Sequence, residues 1–159
     1  MGYVYYQFTY FVFYFVMFHT VYAMITLDLP VLFFYMVVSV LQGKVKRSQK
    51  YIDWCDKFIQ FRKGLKSTKV IYEEAIAEDQ QCLFGFHPHG ALATCVPVFM
   101  NYPTGPFKYS VGLASRAMLN VPFCGLLLRL WGVEGVDAGN MKKLLSEGKN
   151  INLVPGGFE

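Results

Sequence analysis

Val133-Glu134-Gly135-Val136, then Asn140 to Glu147, then Ile151-Asn152-Leu153-Val154 follow one another along the last part of the chain. The first reads as a short strand and the second as a short helix closed by Gly148. The third reads as a strand leading into Pro155-Gly156-Gly157. Working outward, Met118 to Trp131 is apolar enough for a buried helix, with Pro122 near its start, and Tyr109-Ser110-Val111-Gly112-Leu113 reads as a strand. Ala91 to Met100 fits either a helix or a strand, and Pro97 argues against a regular helix throughout. Lys69-Val70-Ile71-Tyr72-Glu73 and Cys82-Leu83-Phe84-Gly85-Phe86 read as strands separated by the acidic turn Glu78-Asp79-Gln80-Gln81. Alternating strands and helices predict an α/β layered domain over residues 67–159. In such sheets ligands gather at the carboxyl ends of the strands, where two glycine-bearing loops begin.

The first 42 residues have a different character. Aromatic residues make up 18 % of the 159 residues and charged ones only 16 %, against about 25 % in soluble domains. Much of that imbalance comes from Met1 to Leu41, where Asp28 is the only charged side chain. Tyr3 to Leu27 is long enough for the roughly 20 helical residues that a hydrocarbon core requires. Residues 1–42 are therefore expected to form a helical membrane segment, either one span with an interfacial piece or a hairpin turning near His19 or Asp28-Leu29-Pro30. A secretory signal is disfavoured, because no Lys or Arg precedes the apolar run and no small-residue cleavage site follows it.

Lys44, Lys46, Arg47 and Lys50 come next, and Lys57, Arg62, Lys63, Lys66 and Lys69 extend the basic zone. Tyr51, Ile52, Trp54, Cys55, Phe58, Ile59 and Phe61 recur among them near helical spacing. Residues 43–66 fit a basic amphipathic helix on a membrane surface, or equally a core-facing helix with a charged outer side. Cations beside a membrane segment stay cytosolic and attract anionic head groups, so the remainder of the chain is expected in the cytosol. Nucleic acid is not an expected partner: the formal net charge of +4 is concentrated beside lipid-seeking residues. Cys55, Cys82, Cys95 and Cys124 lack paired metal-type spacing and read as reduced, small apolar residues.

Phe84-Gly85-Phe86-His87-Pro88-His89-Gly90 sets two imidazoles beside a Pro and a Gly, where the backbone is bent. Histidine takes up and releases protons near neutrality, its unperturbed pKa being about 6.5. His87 or His89 could remove the proton of a hydroxyl attacking a thioester, with Gly90 permitting close backbone approach. Gly156 and Gly157 can turn backbone N–H groups toward an oxyanion or a phosphate. A plain surface histidine and a plain Pro-Gly-Gly turn are the alternatives.

These residues carry a resemblance. The His87-Pro88-His89-Gly90 element, preceded by an apolar N-terminus and followed by Leu153-Val154-Pro155-Gly156-Gly157-Phe158-Glu159, resembles the type 2 diacylglycerol acyltransferase family, which includes monoacylglycerol and wax-alcohol acyltransferases. Ala114-Ser115-Arg116-Ala117-Met118, Val121-Pro122-Phe123 and Trp131-Gly132-Val133 resemble its middle region. The resemblance implies an acyltransferase-like domain at the endoplasmic reticulum membrane, facing the cytosol. It would move a fatty acyl group from acyl-CoA to a lipid hydroxyl, diacylglycerol giving triacylglycerol. It implies His87 and His89 as catalytic residues within a loop completed by Pro88 and Gly90. Pro155, Gly156, Gly157 and Glu159 become a substrate-binding or oxyanion loop. A related phospholipid acyltransferase superfamily has an Asp five positions after its His, a place held here by Leu92, so His87 is the favoured base with His89 orienting or replacing it. Neither a metal nor a cofactor is implied beyond acyl-CoA as co-substrate. The Pro155-Gly156-Gly157-Phe158 stretch offers no cation to grip a phosphorylated acceptor, which favours a neutral glyceride or long-chain alcohol. Membrane lipid is an implied partner, and a homo-oligomer is compatible with the sequence. The chain departs from the family at Gly125, where an Arg is expected, with Arg129 further on. The family pattern also continues beyond Glu159, so the resemblance implies a domain cut short.

Two other readings compete. A metal-dependent hydrolase would use His87 and His89 with a carboxylate such as Glu134 or Asp137. A membrane-anchored inactive or regulatory fragment would pair with a full-length homologue.

Overall fold

The computed structural model describes residues 2–55, 57, 73–74, 76–77, 80–87 and 110–155, with side chains from Phe11 onward. Among the described residues four short strands, β1 (Leu83–Gly85), β2 (Val111–Ala114), β3 (Glu134–Gly135) and β4 (Ile151–Leu153), form one sheet in the order β1-β4-β2-β3. Every pairing is parallel, with Leu83 opposite Ile151, Val111 opposite Ile151 and Leu113 opposite Glu134. The last strand in sequence thus occupies an interior position.

Side-chain alternation along β2 sorts the two faces. Val111 and Leu113 join Ile151 and Leu144 in one apolar cluster. Leu144 belongs to helix α6 (Ala138–Ser146), which carries the chain from β3 back to β4. Its limits follow from local chemistry. Asp137 caps its start by accepting from the Asn140 amide at 3.1 Å, and Gly148 beyond its end adopts φ +70°, a conformation open to glycine.

On the opposite face Ala114 packs against Ile52, Cys55, Leu119, Trp131 and Val133. Ile52 lies in α3 (Gln49–Trp54), whose N-cap Ser48 accepts from the Tyr51 amide at 3.3 Å. Leu119 lies in α4 (Arg116–Asn120), with Ser115 as N-cap. α5 (Cys124–Leu130) follows after a sharp turn. The single helix expected over 118–131 is therefore two. Pro122 cannot supply an interior helical amide, and Phe123 takes φ +63° at the corner. α4 and α5 then meet so closely that Gly125 faces the carbonyl of Leu119 with no room for a Cβ.

The expectation of an α/β acyltransferase-like layered domain behind an N-terminal helical membrane segment is corrected here. The structure is a small mixed helix–strand domain with a parallel sheet, and among the described residues no helix is long and apolar enough to cross a membrane. The physical reason lies in how the apolar run divides. α1 (Gly2–Ile25) stops at a turn in which Leu27 has φ +55°, and α2 (Leu29–Gln42) starts at an Asp28 cap. The fourteen residues of α2 rise about 21 Å, short of the roughly 30 Å of a hydrocarbon core.

The two helices form a hairpin that reverses at Leu27 and Asp28. His19 Nδ1 and the Tyr35 hydroxyl are 2.8 Å apart across it, and Val16 and Ala23 are buried. The hairpin docks on the α4–α5 corner through polar contacts that satisfy free helix-end carbonyls. Gln42 Nε2 donates to Leu119 O and Val121 O, each at 3.2 Å, and Ser39 Oγ donates to Asn120 O at 3.0 Å. Residues 69–72, the segment 91–100 and most of the basic zone after Lys57 lie outside the described residues.

Candidate functional site at the carboxyl edge of the sheet

Because all four strands run parallel, their carboxyl ends open on one edge. β1 releases Phe86 and His87 there, and its neighbour β4 releases Val154 and Pro155. Phe86 N donates to Leu153 O at 2.9 Å, one step beyond the strand pairing itself. Pro155 lies over Gly85: a Cβ at Gly85 would stand 3.8 Å from Pro155 Cγ. The start of β1 is moored as well. Cys82 N donates to Asn150 Oδ1 at 2.8 Å, Ile151 N donates to Cys82 O at 3.1 Å, and Gln81 Nε2 donates to Leu145 O at 2.8 Å.

The entrances of both glycine-bearing loops are thus side by side, although 68 positions separate His87 from Pro155 in sequence. His87 is exposed to solvent and Pro155 is half-buried. Pro88, His89, Gly90, Gly156, Gly157 and Glu159 lie outside the described residues. An exposed imidazole at a strand end can exchange a proton with a bound hydroxyl, and the glycine-rich stretch after Pro155 has the composition of an N–H donor loop.

The other half of the edge is built from β2 and β3. Arg116, just past β2, donates from Nε at 3.1 Å and from its terminal amino group at 2.9 Å, both to Asp137 Oδ2. Asn140 Nδ2 donates to Gly135 O at 3.0 Å. The Asn140 amide, and after it the Arg116 guanidinium, hold the Asp137 carboxyl below the usual carboxylate range. Sequence reasoning considered Asp137 only as a metal ligand and did not single out Arg116. A signal was present for the latter, a Ser-Arg pair leaving a strand toward the ligand-gathering edge.

Comparison with family models, curated proteins and solved structures finds no match.

The geometry bears on the metal reading directly. Among the described residues β1 and β3 are the outermost strands, three spacings or about 14 Å apart, so His87 is far from Glu134 and Asp137. Among the described residues no group of three or more His, Cys, Asp or Glu side chains converges. Asp137 is engaged as a helix cap and as the partner of Arg116. Cys55 and Cys124 are buried, and burial pushes the Cys124 thiol up to about 11.

Proposed function

We propose that this protein transfers a fatty acyl group from acyl-CoA to the hydroxyl of a neutral lipid, diacylglycerol foremost. The observation that carries the reading is the hydrogen bond from Phe86 N to Leu153 O, which draws the His87 loop and the Pro155 loop together at the carboxyl edge. The resemblance of both motifs to the type 2 diacylglycerol acyltransferases supports it from the sequence side. His87 takes the acceptor's hydroxyl proton as the oxygen attacks the thioester carbonyl. The tetrahedral intermediate collapses, the C–S bond breaks, and the leaving thiolate recovers the proton from the imidazolium. Gly156 and Gly157 would supply N–H donors to the oxyanion.

The acceptor is apolar, and the hairpin offers a surface to meet it. Phe11, Phe15, Phe18, Phe33 and Phe34 are exposed on α1 and α2. Lys44 and Lys50 follow closely after α2. Exposed rings beside cations suit peripheral attachment to an anionic lipid surface. With the resemblance goes the cytosolic face of the endoplasmic reticulum as the place of work.

The test is transfer of labelled acyl-CoA to vesicles carrying diacylglycerol or fatty alcohol, with the wild-type chain beside a His87→Ala/His89→Ala variant. Labelled triacylglycerol from the wild type is expected, falling by about 10²–10⁴ in the variant. Product confined to wax ester would keep the chemistry and replace the acceptor. A folded wild-type chain that yields no labelled ester sinks the proposal.

A further inference from the structure

A cleft of roughly 760 Å³ runs along β3, lined by Val133, Glu134 and Gly135 of that edge. Lys46, Arg47, Arg116, Arg129 and Lys149 also line it, brought in from four separate stretches of the chain. Glu134 and Asp137 are the lining carboxylates, so five positive charges meet two negative ones. The partners of these cations decide what remains free. Arg116 is matched by Asp137, and Lys149 by Glu147 at 2.7 Å. Lys46, Arg47 and Arg129 have no ion pair among the described residues. Arg129 is half-buried, and its Nε is shielded from water without an acceptor among the described residues.

The backbone is shaped to permit this gathering. Gly132 adopts φ +86°, and a Cβ there would come within 2.9 Å of Arg47 Cδ. The glycine therefore lets the Arg47 stem lie against the β3 turn. Like charges gathered in a concave site repel one another unless an anion enters, and guanidinium groups favour phosphate oxygens. The volume falls within the range of small-molecule sites, larger than a single phosphate needs.

We infer that this cleft holds the phosphorylated end of the acyl-CoA donor. The inference rests on the activity proposed above, since that donor brings several phosphate charges on a nucleotide and a thioester on a long flexible arm. The sheet sets the separation: β3 lies three strand spacings, about 14 Å, from the strand that releases His87. An arm of that kind bridges such a distance, leaving the nucleotide at β3 and the thioester at β1. The glycine-bearing loops are then free of any duty toward phosphate.

The experiment titrates the full chain with CoA and with unphosphorylated pantetheine, comparing wild type with a Lys46→Gln/Arg47→Gln variant. Both side chains are exposed, so the variant is expected to fold, as circular dichroism would verify. CoA affinity should fall by about tenfold or more in the variant, with pantetheine affinity unchanged and weak in both. Equal CoA affinity in the two chains overturns the inference. So does loss of binding to phosphatidic acid vesicles with CoA binding intact, which would assign the cleft to a lipid head group. Impaired CoA binding in the variant, with no acyl transfer by the wild type, keeps the cleft and removes the activity. Acyl transfer with an unaltered KM for acyl-CoA in the variant does the reverse.

Discussion

The backbone amide of Phe86 donates to the carbonyl of Leu153 at 2.9 Å, joining the residue before His87 to the strand that ends two residues before Pro155. This bond extends the β1–β4 ladder to the point where both loops depart. It should protect the Phe86 amide from solvent exchange as strongly as the strand amides beside it. Hydrogen–deuterium exchange read by NMR gives the check. Exchange at Phe86 as fast as at an exposed amide outside the sheet would mean that the two loops are not held together.

Gly125 and Gly85 make opposite predictions for the same substitution. A Cβ on Gly125 would stand 1.9 Å from Leu119 O and 2.9 Å from Gln42 Nε2, and backbone cannot give way as a flexible side chain can. Gly125→Ala should cost about 1–3 kcal/mol or more. At Gly85 the nearest atoms are those of Pro155, at ordinary contact distance. Gly85→Ala should be tolerated, gaining about 0.4–1 kcal/mol from a stiffer unfolded chain. Urea denaturation of both variants decides whether the α4–α5 contact is as close as described.

Gln42 is buried, and it satisfies the carbonyls of both Leu119 and Val121. Gln42→Ala would leave those acceptors without their donor and open a hole between the hairpin and the α4–α5 corner. A loss of about 1–3 kcal/mol is expected. Thermal unfolding by circular dichroism measures it, and an unchanged midpoint would show that the hairpin does not depend on this contact.

Asp137 gives a pH dependence of defined sign. Its carboxyl is held below the usual range, first by the Asn140 amide and then by Arg116, so the folded protein favours the charged form. The associated stability is present above the unfolded carboxylate pKa of about 3.9 and is lost as pH falls below it through the lower folded value. Comparing wild type with Asp137→Asn by denaturant midpoint at pH 7 and pH 3 should show a gap at the higher pH that narrows at the lower. A gap independent of pH would assign the effect to packing.

Cys124 behaves in the opposite direction. Burial pushes its thiol up to about 11, so the folded protein favours the neutral form. The associated stability is fully present below the unfolded thiol pKa of about 8.5 and is lost as pH rises toward the folded value. At pH 8 iodoacetamide should modify Cys82, whose sulfur lies in an exposed contact with Gln80 O, well before Cys124. Mass spectrometry of the alkylated peptides reads the order.

Part of this molecule was legible because the signals are local. The Gly148 stop closes α6, and the apolar runs at 83–85 and 151–153 are bounded by turn residues. His87 and Pro155 were legible as residues just beyond strands for the same reason. Less visible was the break between α4 and α5, since the Phe123 φ of +63° arises from the corner rather than from the preference of a Phe. A reversal near Asp28-Leu29-Pro30 was one reading of the N-terminal run, but the φ +55° that Leu27 takes to make it does not follow from the preference of a Leu. The Arg116–Asp137 pair escaped notice because its members sit 21 positions apart on different elements.

The sequence by itself determined short elements such as α6 and the strands at 83–85 and 151–153, because turn chemistry and side-chain alternation act over a few residues. Tertiary structure alone decided that β4 inserts between β1 and β2, that the His87 and Pro155 loops therefore leave neighbouring strands, and that cations from four stretches converge on β3. Strand order is a choice among long-range pairings whose backbone hydrogen bonds are chemically alike. Burial of Leu144 and Ile151 on one face and of Ile52, Leu119 and Trp131 on the other selects among them.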